Sequence, residues 1–129
     1  MSSVRSSELL NCPAASAWAV IRDSSRLSDW FTGIVRCTVE GSSRTILMAN
    51  GNKVVEDIVT LDDDLRRFQY SIAEGVPSVT RHLGTIDVIP LDEKRCLVIY
   101  GTDVEPSALG QGMQDATGQA LARLRDHFA

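Results

Sequence analysis

The sequence has no catalytic or nucleotide-binding signature. It contains no GxSxG, P-loop or GxGxxG pattern, and it has only two histidines. Serine-based hydrolysis, phosphate cradling, dinucleotide binding and a histidine-rich metal site therefore lack sequence support. The run Asp62 to Asp64 lacks the EF-hand spacing and its closing glutamate, so it predicts an exposed turn and not a calcium site. We expect no metal and no cofactor.

Cysteine and long apolar runs are also scarce. The three cysteines, Cys12, Cys37 and Cys96, are odd in number and widely spaced, which fits neither a disulfide framework nor a CxxC metal site. We expect reduced, buried thiols. No apolar run approaches the roughly 18 to 20 residues that span a bilayer. The N-terminus lacks the apolar region of a signal peptide, which predicts a cytosolic protein without a membrane span.

The charge and the length narrow the class of partner. A net charge of -4 argues against a nucleic-acid or anionic-membrane surface, so a neutral or weakly polar partner fits better. The 129 residues are enough for one core, and we expect a single domain over 1–129. The sequence leaves the oligomeric state, monomer or homodimer, open.

The N-terminal segment predicts one strand and two short helices. Residues 4 to 11 form a polar, partly exposed strand, and Pro13 suits the first turn of a helix. In that helix Ala14, Ala17, Trp18 and Ile21 share one buried face. Ser24 and Ser25 are possible caps of a second short helix that ends at Gly33.

Between residues 34 and 104 the apolar period changes towards two. Six runs separated by turn signals predict strands: IVRCTVE, RTILMA, KVVEDIVTL, RRFQYSI, SVTRHLGTIDVI and RCLVIYGTDV. Asn50-Gly51 predicts a hairpin with a type I′ turn. The connections are too short for crossover helices, so we expect an antiparallel meander that reaches about seven strands with the first one.

The chain after Pro106 returns to a helical period. One apolar stripe is formed by Leu109, Met113, Ala116 or Thr117, Ala120, Leu124 and Phe128. Gly110, Gly112 and Gly118 are unexpected inside a helix, because each costs about 1 kcal/mol relative to alanine. Close backbone approach, a frayed first turn or room for a ligand would each explain them.

This order of elements resembles the helix-grip fold of the START-like superfamily. The superfamily includes the polyketide cyclase/dehydrase-like proteins, the birch-pollen allergen proteins and the plant abscisic acid receptors. The resemblance rests on NCPAASAWAVIRDSSRLSDWFTGI, on EGSSRTILMANGNKVVEDIVTLDDDLRRFQYSI and on the turn at Val88 to Pro90. It implies an α+β fold in which a curved antiparallel sheet grips the long C-terminal helix. A cavity for small, mostly apolar molecules lies between them.

The resemblance and the strand alternation together nominate residues of this cavity. Glu56 is the first candidate, because a carboxylate among apolar neighbours has a raised pKa and suits acid, base or anchoring roles. A solvated or salt-bridged strand residue, paired with Arg44, is the alternative. His82 is the second candidate, as a general acid or base, against a structural histidine. Tyr70 is a candidate donor to a ligand carbonyl, against a ring packed in the core. Arg44 is a candidate partner of a ligand carboxylate or of Glu56, against a surface arginine.

The complete predicted ligand-binding set combines these four residues with apolar positions. It is Trp30, Phe31, Arg44, Ile46, Met48, Glu56, Phe68, Tyr70, His82, Met113, Ala116, Thr117 and Ala120. The position of Tyr100 depends on a strand register that the sequence leaves open. Residues 75–77 and 105–112 flank the expected cavity mouth, and whether they gate it is also open.

Three functions are compatible with this sequence. The favoured one is binding of a small hydrophobic ligand, lipid-, polyketide- or aromatic-like, in which burial supplies most of the affinity. The second is a polyketide cyclase/dehydrase-like enzyme with Glu56 or His82 as acid-base and Tyr70 or Arg44 stabilising an oxyanion. The third is a protein-interaction module that docks through the sheet edge or the C-terminal helix.

Overall fold

Seven strands form one antiparallel sheet in the order β1-β7-β6-β5-β4-β3-β2. The computed structural model describes all residues from Met1 to Ala129. The strands are β1 (Ser2–Leu10), β2 (Ile34–Glu40), β3 (Ser43–Met48), β4 (Lys53–Asp62), β5 (Arg67–Glu74), β6 (Arg81–Pro90) and β7 (Cys96–Glu105). The helices are α1 (Ala14–Ile21), α2 (Leu27–Trp30) and α3 (Gly110–His127), with short 3-10 turns at Ser24–Arg26 and Ser107–Leu109. The predicted fold class is confirmed.

The first strand extends the meander because β1 pairs with the last strand, β7. Residues Ser2 to Leu10 run antiparallel to Val104 down to Cys96. The helix α3 then packs on β1 and β7, and α2 packs on α3 and β2. Register shifts between β2 and β3 and at two places between β4 and β5 interrupt the regular pairing. Such bulges bend strands, which lets one face of the sheet curve towards α3.

The first helix meets the sheet as its apolar period predicts. Ala14, Ala17, Trp18 and Ile21 are all buried. Trp18 Nε1 donates to Asp63 Oδ1 at 2.8 Å, and Arg22 Nε donates to the same oxygen at 2.9 Å. The turn at Asp62 to Asp64 therefore holds α1 through hydrogen bonds. No three His, Cys, Asp or Glu side chains lie close enough together to hold a metal ion.

The predicted caps and the predicted hairpin turn differ from the observed ones. Asp23, not a serine, accepts from the Ser25 backbone N–H at 3.1 Å, and Ser24 is buried. At the β3–β4 hairpin the Met48 carbonyl accepts from Gly51 N–H at 3.0 Å, so Ala49 and Asn50 are the central turn residues. Among the residues of this turn only Gly51 has a positive φ, +87°, which excludes a type I′ turn. A three-residue hairpin with glycine in the left-handed position accounts for this geometry.

Two of the three glycines in α3 face β1. A Cβ on Gly110 would collide with the Ser2 side chain, whereas one on Gly118 would lie 3.4 Å from Ser6 Oγ, an ordinary contact. Gly112 faces open space. Close packing on β1 therefore explains Gly110 alone, and since Gly110 and Gly118 face β1, the expectation that they leave room for a ligand is wrong.

The core lies between the sheet and the helices. It includes Leu10, Trp30, Phe68, Val98, Tyr100, Leu121 and Leu124, all nearly inaccessible to solvent. The three cysteines are free and buried, as predicted. No helix is both long enough and apolar enough to cross a membrane.

One strand glycine positions an aromatic ring in this core. Gly84 lies opposite Tyr70 in the β5–β6 pairing, and a Cβ on Gly84 would come within 2.5 Å of the Tyr70 ring. Gly101 lies on the neighbouring strand β7, where a Cβ would have 3.8 Å to the nearest atom. Gly84 is thus buried under a ring, whereas Gly101 is half-buried and has room for a methyl group.

We predict that Gly84→Ala destabilises the protein by about 1–3 kcal/mol, because the added methyl displaces a packed ring. Gly101→Ala is the matched control, and it should leave stability unchanged or raise it by up to about 1 kcal/mol. Urea unfolding of both variants measures this. Equal effects of the two substitutions would contradict the role given to Gly84.

Candidate ligand-binding site

A cavity of about 250 Å³ lies between the concave face of the sheet and α3. Most of its wall is apolar. The lining residues are Leu27, Phe31, Ile34, Arg44, Ile46, Met48, Val54, Glu56, Tyr70, Ile72, Val76, His82, Tyr100, Thr102, Met113, Ala116 and Thr117. The polar members Arg44, Glu56, Tyr70 and Tyr100 are buried, whereas Phe31, Met48, Val76 and Met113 are half-buried. These four polar groups therefore lie at the deep end of the cavity, the half-buried His82 lies beside the Tyr70 ring, and the flexible apolar groups lie at the mouth.

A buried ion pair forms the deep end. Arg44 and Glu56 are register partners across β3 and β4. Arg44 Nε donates to Glu56 Oε1 at 2.9 Å, Nη2 forms an ion pair with the same oxygen at 2.8 Å, and Nη1 donates to Ser24 Oγ at 3.1 Å. The guanidinium also lies over the Tyr70 ring, 4.6 Å from its centroid, and 5.0 Å from that of Phe68. All three guanidinium nitrogens are thus engaged by the protein.

The second carboxylate oxygen of this pair has no protein partner. No protein donor lies within hydrogen-bond distance of Glu56 Oε2, and Glu56 lines the cavity. Burial raises the pKa of Glu56, and the Arg44 charge and hydrogen bonds oppose that rise. Burial lowers the pKa of Arg44, but Glu56, Tyr70, Tyr100 and Cys37 together raise it more, so the guanidinium stays protonated. The pair leaves one carboxylate oxygen available to a ligand.

Two tyrosine hydroxyls meet beside the pair. Tyr70 Oη and Tyr100 Oη are hydrogen-bonded to each other, and neither has another protein partner. Burial raises the pKa of Tyr70 well above its ordinary value, and it raises that of Tyr100 as well. Both phenols are therefore neutral at physiological pH. Since one hydroxyl donates to the other, one O–H remains available as a donor.

His82 contributes a second donor. Its Nδ1 accepts from the Ile72 backbone N–H at 3.2 Å. Burial lowers its pKa from 6.5 to about 4, although the Asp103 charge opposes that fall. The imidazole is therefore neutral at physiological pH. Because Nδ1 accepts a hydrogen bond, the single ring proton lies on Nε2, and Nε2–H can donate to a ligand.

The structure brings most of the predicted site residues together. Those on the cavity wall are Phe31, Arg44, Ile46, Met48, Glu56, Tyr70, His82, Met113, Ala116 and Thr117. Arg44 and Glu56 adopt the paired arrangement that was the alternative for Glu56, and the surface alternative for Arg44 is wrong, because the side chain is buried.

Trp30, Phe68 and Ala120 do not line the cavity. Phe68 lies under Arg44 and comes two residues before Tyr70 in β5. Trp30 packs on Phe31 and Tyr100 and is nearly fully buried, with Nε1 unpaired. Ala120 has no exposed surface and belongs to the core one turn beyond Ala116. Strand and helix periods identify a buried face, but they do not tell which part of that face borders a cavity.

Several cavity residues were missing from the predicted set. They are Leu27, Ile34, Val54, Ile72, Val76, Tyr100 and Thr102. The β7 residues follow a strict alternation of buried and half-buried positions from Cys96 to Glu105. That period is visible in the sequence and would have placed Tyr100 and Thr102 on one face.

Of the two segments expected to flank the cavity mouth, only one borders the cavity. Val76 lies on the wall, and the preceding Gly75 has a φ of +97° and packs against the Lys53 backbone. None of the residues 105–112 is a lining residue, and α3 begins at Gly110.

Comparison with known proteins shows the family and supports the fold. The whole chain, residues 1–129, matches the family described as polyketide cyclase / dehydrase and lipid transport. No curated protein matches the sequence at a significant level. The solved structure of XoxI from Bacillus cereus is 21% identical, with a TM-score of 0.93, over 99% of this chain and 96% of that one.

Two further solved structures similar to this chain are enzymes. Norcoclaurine synthase from Thalictrum flavum, in complex with dopamine and hydroxybenzaldehyde, is 19% identical with a TM-score of 0.72, over 98% of this chain and 83% of that one. The Zhui aromatase/cyclase from Streptomyces is 15% identical with a TM-score of 0.74, over 96% of this chain and 88% of that one. At these identities the likeness establishes the fold alone.

We predict that breaking the Arg44–Glu56 pair costs more than removing it. Arg44→Met leaves a buried carboxylate without its partner, and such losses cost about 3–5 kcal/mol. The double variant Arg44→Met with Glu56→Leu should recover most of that loss, because no charge remains to be desolvated. Urea unfolding of the two variants checks this. A double variant less stable than the single one would show that the pair's charge is not the cause.

We also predict an acid-sensitive stability that depends on His82. In the unfolded chain His82 binds a proton near pH 6.5, whereas in the folded protein it does so only near pH 4. Its contribution is complete above about pH 6.5 and is lost as the pH falls towards 4. With allowance for partial solvent exposure, the loss is about 1–2 kcal/mol.

The matched variants for this test are His82→Asn and His127→Asn. His82→Asn removes the titrating group and should flatten the dependence of the unfolding free energy on pH between 6.5 and 4. His127 is exposed, so its variant should keep the wild-type profile. Identical profiles for all three proteins would refute the assignment.

Proposed function

We propose that this chain, which belongs to the polyketide cyclase / dehydrase and lipid transport family, binds a small and largely apolar molecule in its cavity. The observation that carries the proposal is the division of the cavity wall. Its apolar residues surround most of the space, and its polar groups gather at the buried end. This is the usual composition of ligand sites, where burial gives affinity and a few polar groups fix orientation.

The volume of the cavity limits the size of the ligand. A cavity of about 150 Å³ lined by apolar residues is large enough for benzene. The 250 Å³ found here accommodates a single substituted ring or a short branched chain. Met48 and Met113 at the mouth have unbranched, adaptable side chains, which suit ligands of irregular shape.

The polar groups at the deep end match a ligand that carries oxygen. The free hydroxyl of the Tyr70–Tyr100 pair and the Nε2–H of His82 donate to a carbonyl or hydroxyl oxygen. Glu56 Oε2 accepts from a ligand hydroxyl or amide. In this arrangement His82 acts as a donor, and the general-base role considered for it is not the one we propose.

An enzymatic function is the second candidate, and Glu56 is the observation in its favour. A carboxylate oxygen that has no protein partner, on a group whose pKa burial raises, suits removal of a proton next to a carbonyl. The proton would pass to Glu56 Oε2, and the electron pair would move onto the carbonyl oxygen. The tyrosine hydroxyl and His82 would donate to that oxygen.

The cytosolic location and the protein-docking hypothesis stay predictions.

A cavity-filling substitution tests the binding proposal. Ala116→Phe places a ring in the cavity and should weaken binding of a single-ring ligand at least about tenfold, or 1.4 kcal/mol. Ala122 lies on the same helix but does not line the cavity, so Ala122→Phe is the matched control. Ligands are first sought by native mass spectrometry of protein purified without denaturation. Binding that is unchanged in Ala116→Phe would place the ligand elsewhere.

Exchange with solvent deuterium separates the two candidates. If the protein is an enzyme, it speeds deuterium incorporation next to the carbonyl of a bound ketone, and Glu56→Gln abolishes this while binding persists. NMR of the ketone follows the exchange. A simple binding protein leaves the exchange rate unchanged in both forms.

A further inference from the structure

The cavity contains two formal charges, and they neutralise each other. Arg44 comes from β3 and Glu56 from β4, and both are buried. The other titratable groups on the wall are His82 on β6, Tyr70 on β5 and Tyr100 on β7. His82 is neutral at physiological pH because its pKa is about 4, and the two phenols are neutral because burial raises their pKa values. The helix α3 contributes only Met113, Ala116 and Thr117 to the wall.

No uncompensated cation lines this cavity. Arg44 is the one cation on the wall, and Glu56 neutralises it: Nε donates to Glu56, Nη2 lies 2.8 Å from Glu56 Oε1, and Nη1 donates to Ser24. A ligand carboxylate at the deep end would lie near Glu56, whose negative charge would repel it. It would also lose its hydration without gaining an ion pair, and burial of an unpaired charge is strongly unfavourable.

The hydrogen-bonding groups of the cavity suit an uncharged head group. They consist of the spare tyrosine O–H, the Nε2–H of His82 and the free Oε2 of Glu56. A ketone or aldehyde uses the donors, and an amide or alcohol uses the donors and the acceptor. The cavity is too small to enclose a lipid with two acyl chains.

We infer that the cavity selects neutral, single-ring or short-chain molecules with a carbonyl, amide or hydroxyl head, and that the Arg44–Glu56 pair makes it reject the corresponding carboxylates. This inference rests on the proposed function, because it names the ligand class of the same cavity. It distinguishes a binder of neutral molecules from a carrier of fatty acids or anionic lipids, a distinction that the family description, polyketide cyclase / dehydrase and lipid transport, leaves open.

A pair of probes that differ only in head-group charge tests the selection. The probes are 3-phenylpropanamide and 3-phenylpropanoate, and isothermal titration calorimetry at pH 7.5 measures their affinities. The amide should bind at least about 100-fold more tightly. Equal binding, or tighter binding of the carboxylate, would overturn the inference while leaving the proposed function intact. If neither probe binds, the proposed function fails and the inference fails with it.

Acidification provides a second test that requires no variant. At pH 4.5 a large share of the carboxylic acid is protonated, because the ordinary pKa of a carboxyl group is near this pH. His82 stays mostly neutral there, since its pKa is about 4, whereas Glu56, whose pKa burial raises, begins to take up a proton and so loses the negative charge that repels the acid. Affinity for the acid should therefore rise between pH 7.5 and 4.5, and affinity for the amide should not. An acid whose affinity does not rise relative to the amide would contradict the charge argument.

Removal of the neutralising carboxylate should reverse the preference. Glu56→Gln leaves the Arg44 charge uncompensated, so the variant should bind 3-phenylpropanoate at least about tenfold more tightly than the wild type does. Glu74→Gln changes an exposed carboxylate on β5 and serves as the control of equal charge change. A gain of the same size in both variants would assign the effect to net charge and refute the inference. If Glu56→Gln does not fold, the two wild-type tests decide.

Discussion

The buried ion pair of Arg44 and Glu56 is the interaction on which the rest of the site depends. A charge inside a protein is tolerated only when it is paired and hydrogen-bonded, and here the β3–β4 register provides that pairing. Ser24 completes the shell of Arg44 from the turn before α2. The pair therefore connects the helical segment after β1 to strands β3 and β4.

The aromatic groups of the cavity are ordered by their contact with this pair. The Tyr70 ring lies between the Arg44 guanidinium on β3 and the bare backbone of Gly84 on β6. Its hydroxyl is thereby held against that of Tyr100 on β7. His82 lies beside the same ring, 5.4 Å between ring centroids. The donors and the acceptor of the cavity are thus fixed by one connected set of contacts. A wall of this kind is pre-organised for a ligand.

Local patterns in the sequence predicted the fold well and the cavity wall in part. Apolar residues with a period of two predicted the strands, and apolar residues with a period of 3.6 predicted α1 and α3. The alternation also placed Ile46, Met48, Glu56 and Tyr70 on one side of the sheet. It failed for Phe68 and Ala120, which share the periodic face of cavity residues but are covered by other side chains. The Asn50-Gly51 turn was misassigned because several turn types accept the same dipeptide.

The sequence by itself determined the order of elements, the antiparallel pairing of neighbouring strands and the faces that turn inward, because these follow from short-range periodicity and turn residues. The tertiary structure decided which charges are paired and where the cavity begins. Arg44 is twelve residues from Glu56 along the chain, and Tyr70 is thirty residues from Tyr100. Such contacts depend on strand register and on helix packing, which bring distant residues together. The charge of the cavity, and with it the class of ligand, is therefore a property of the folded chain.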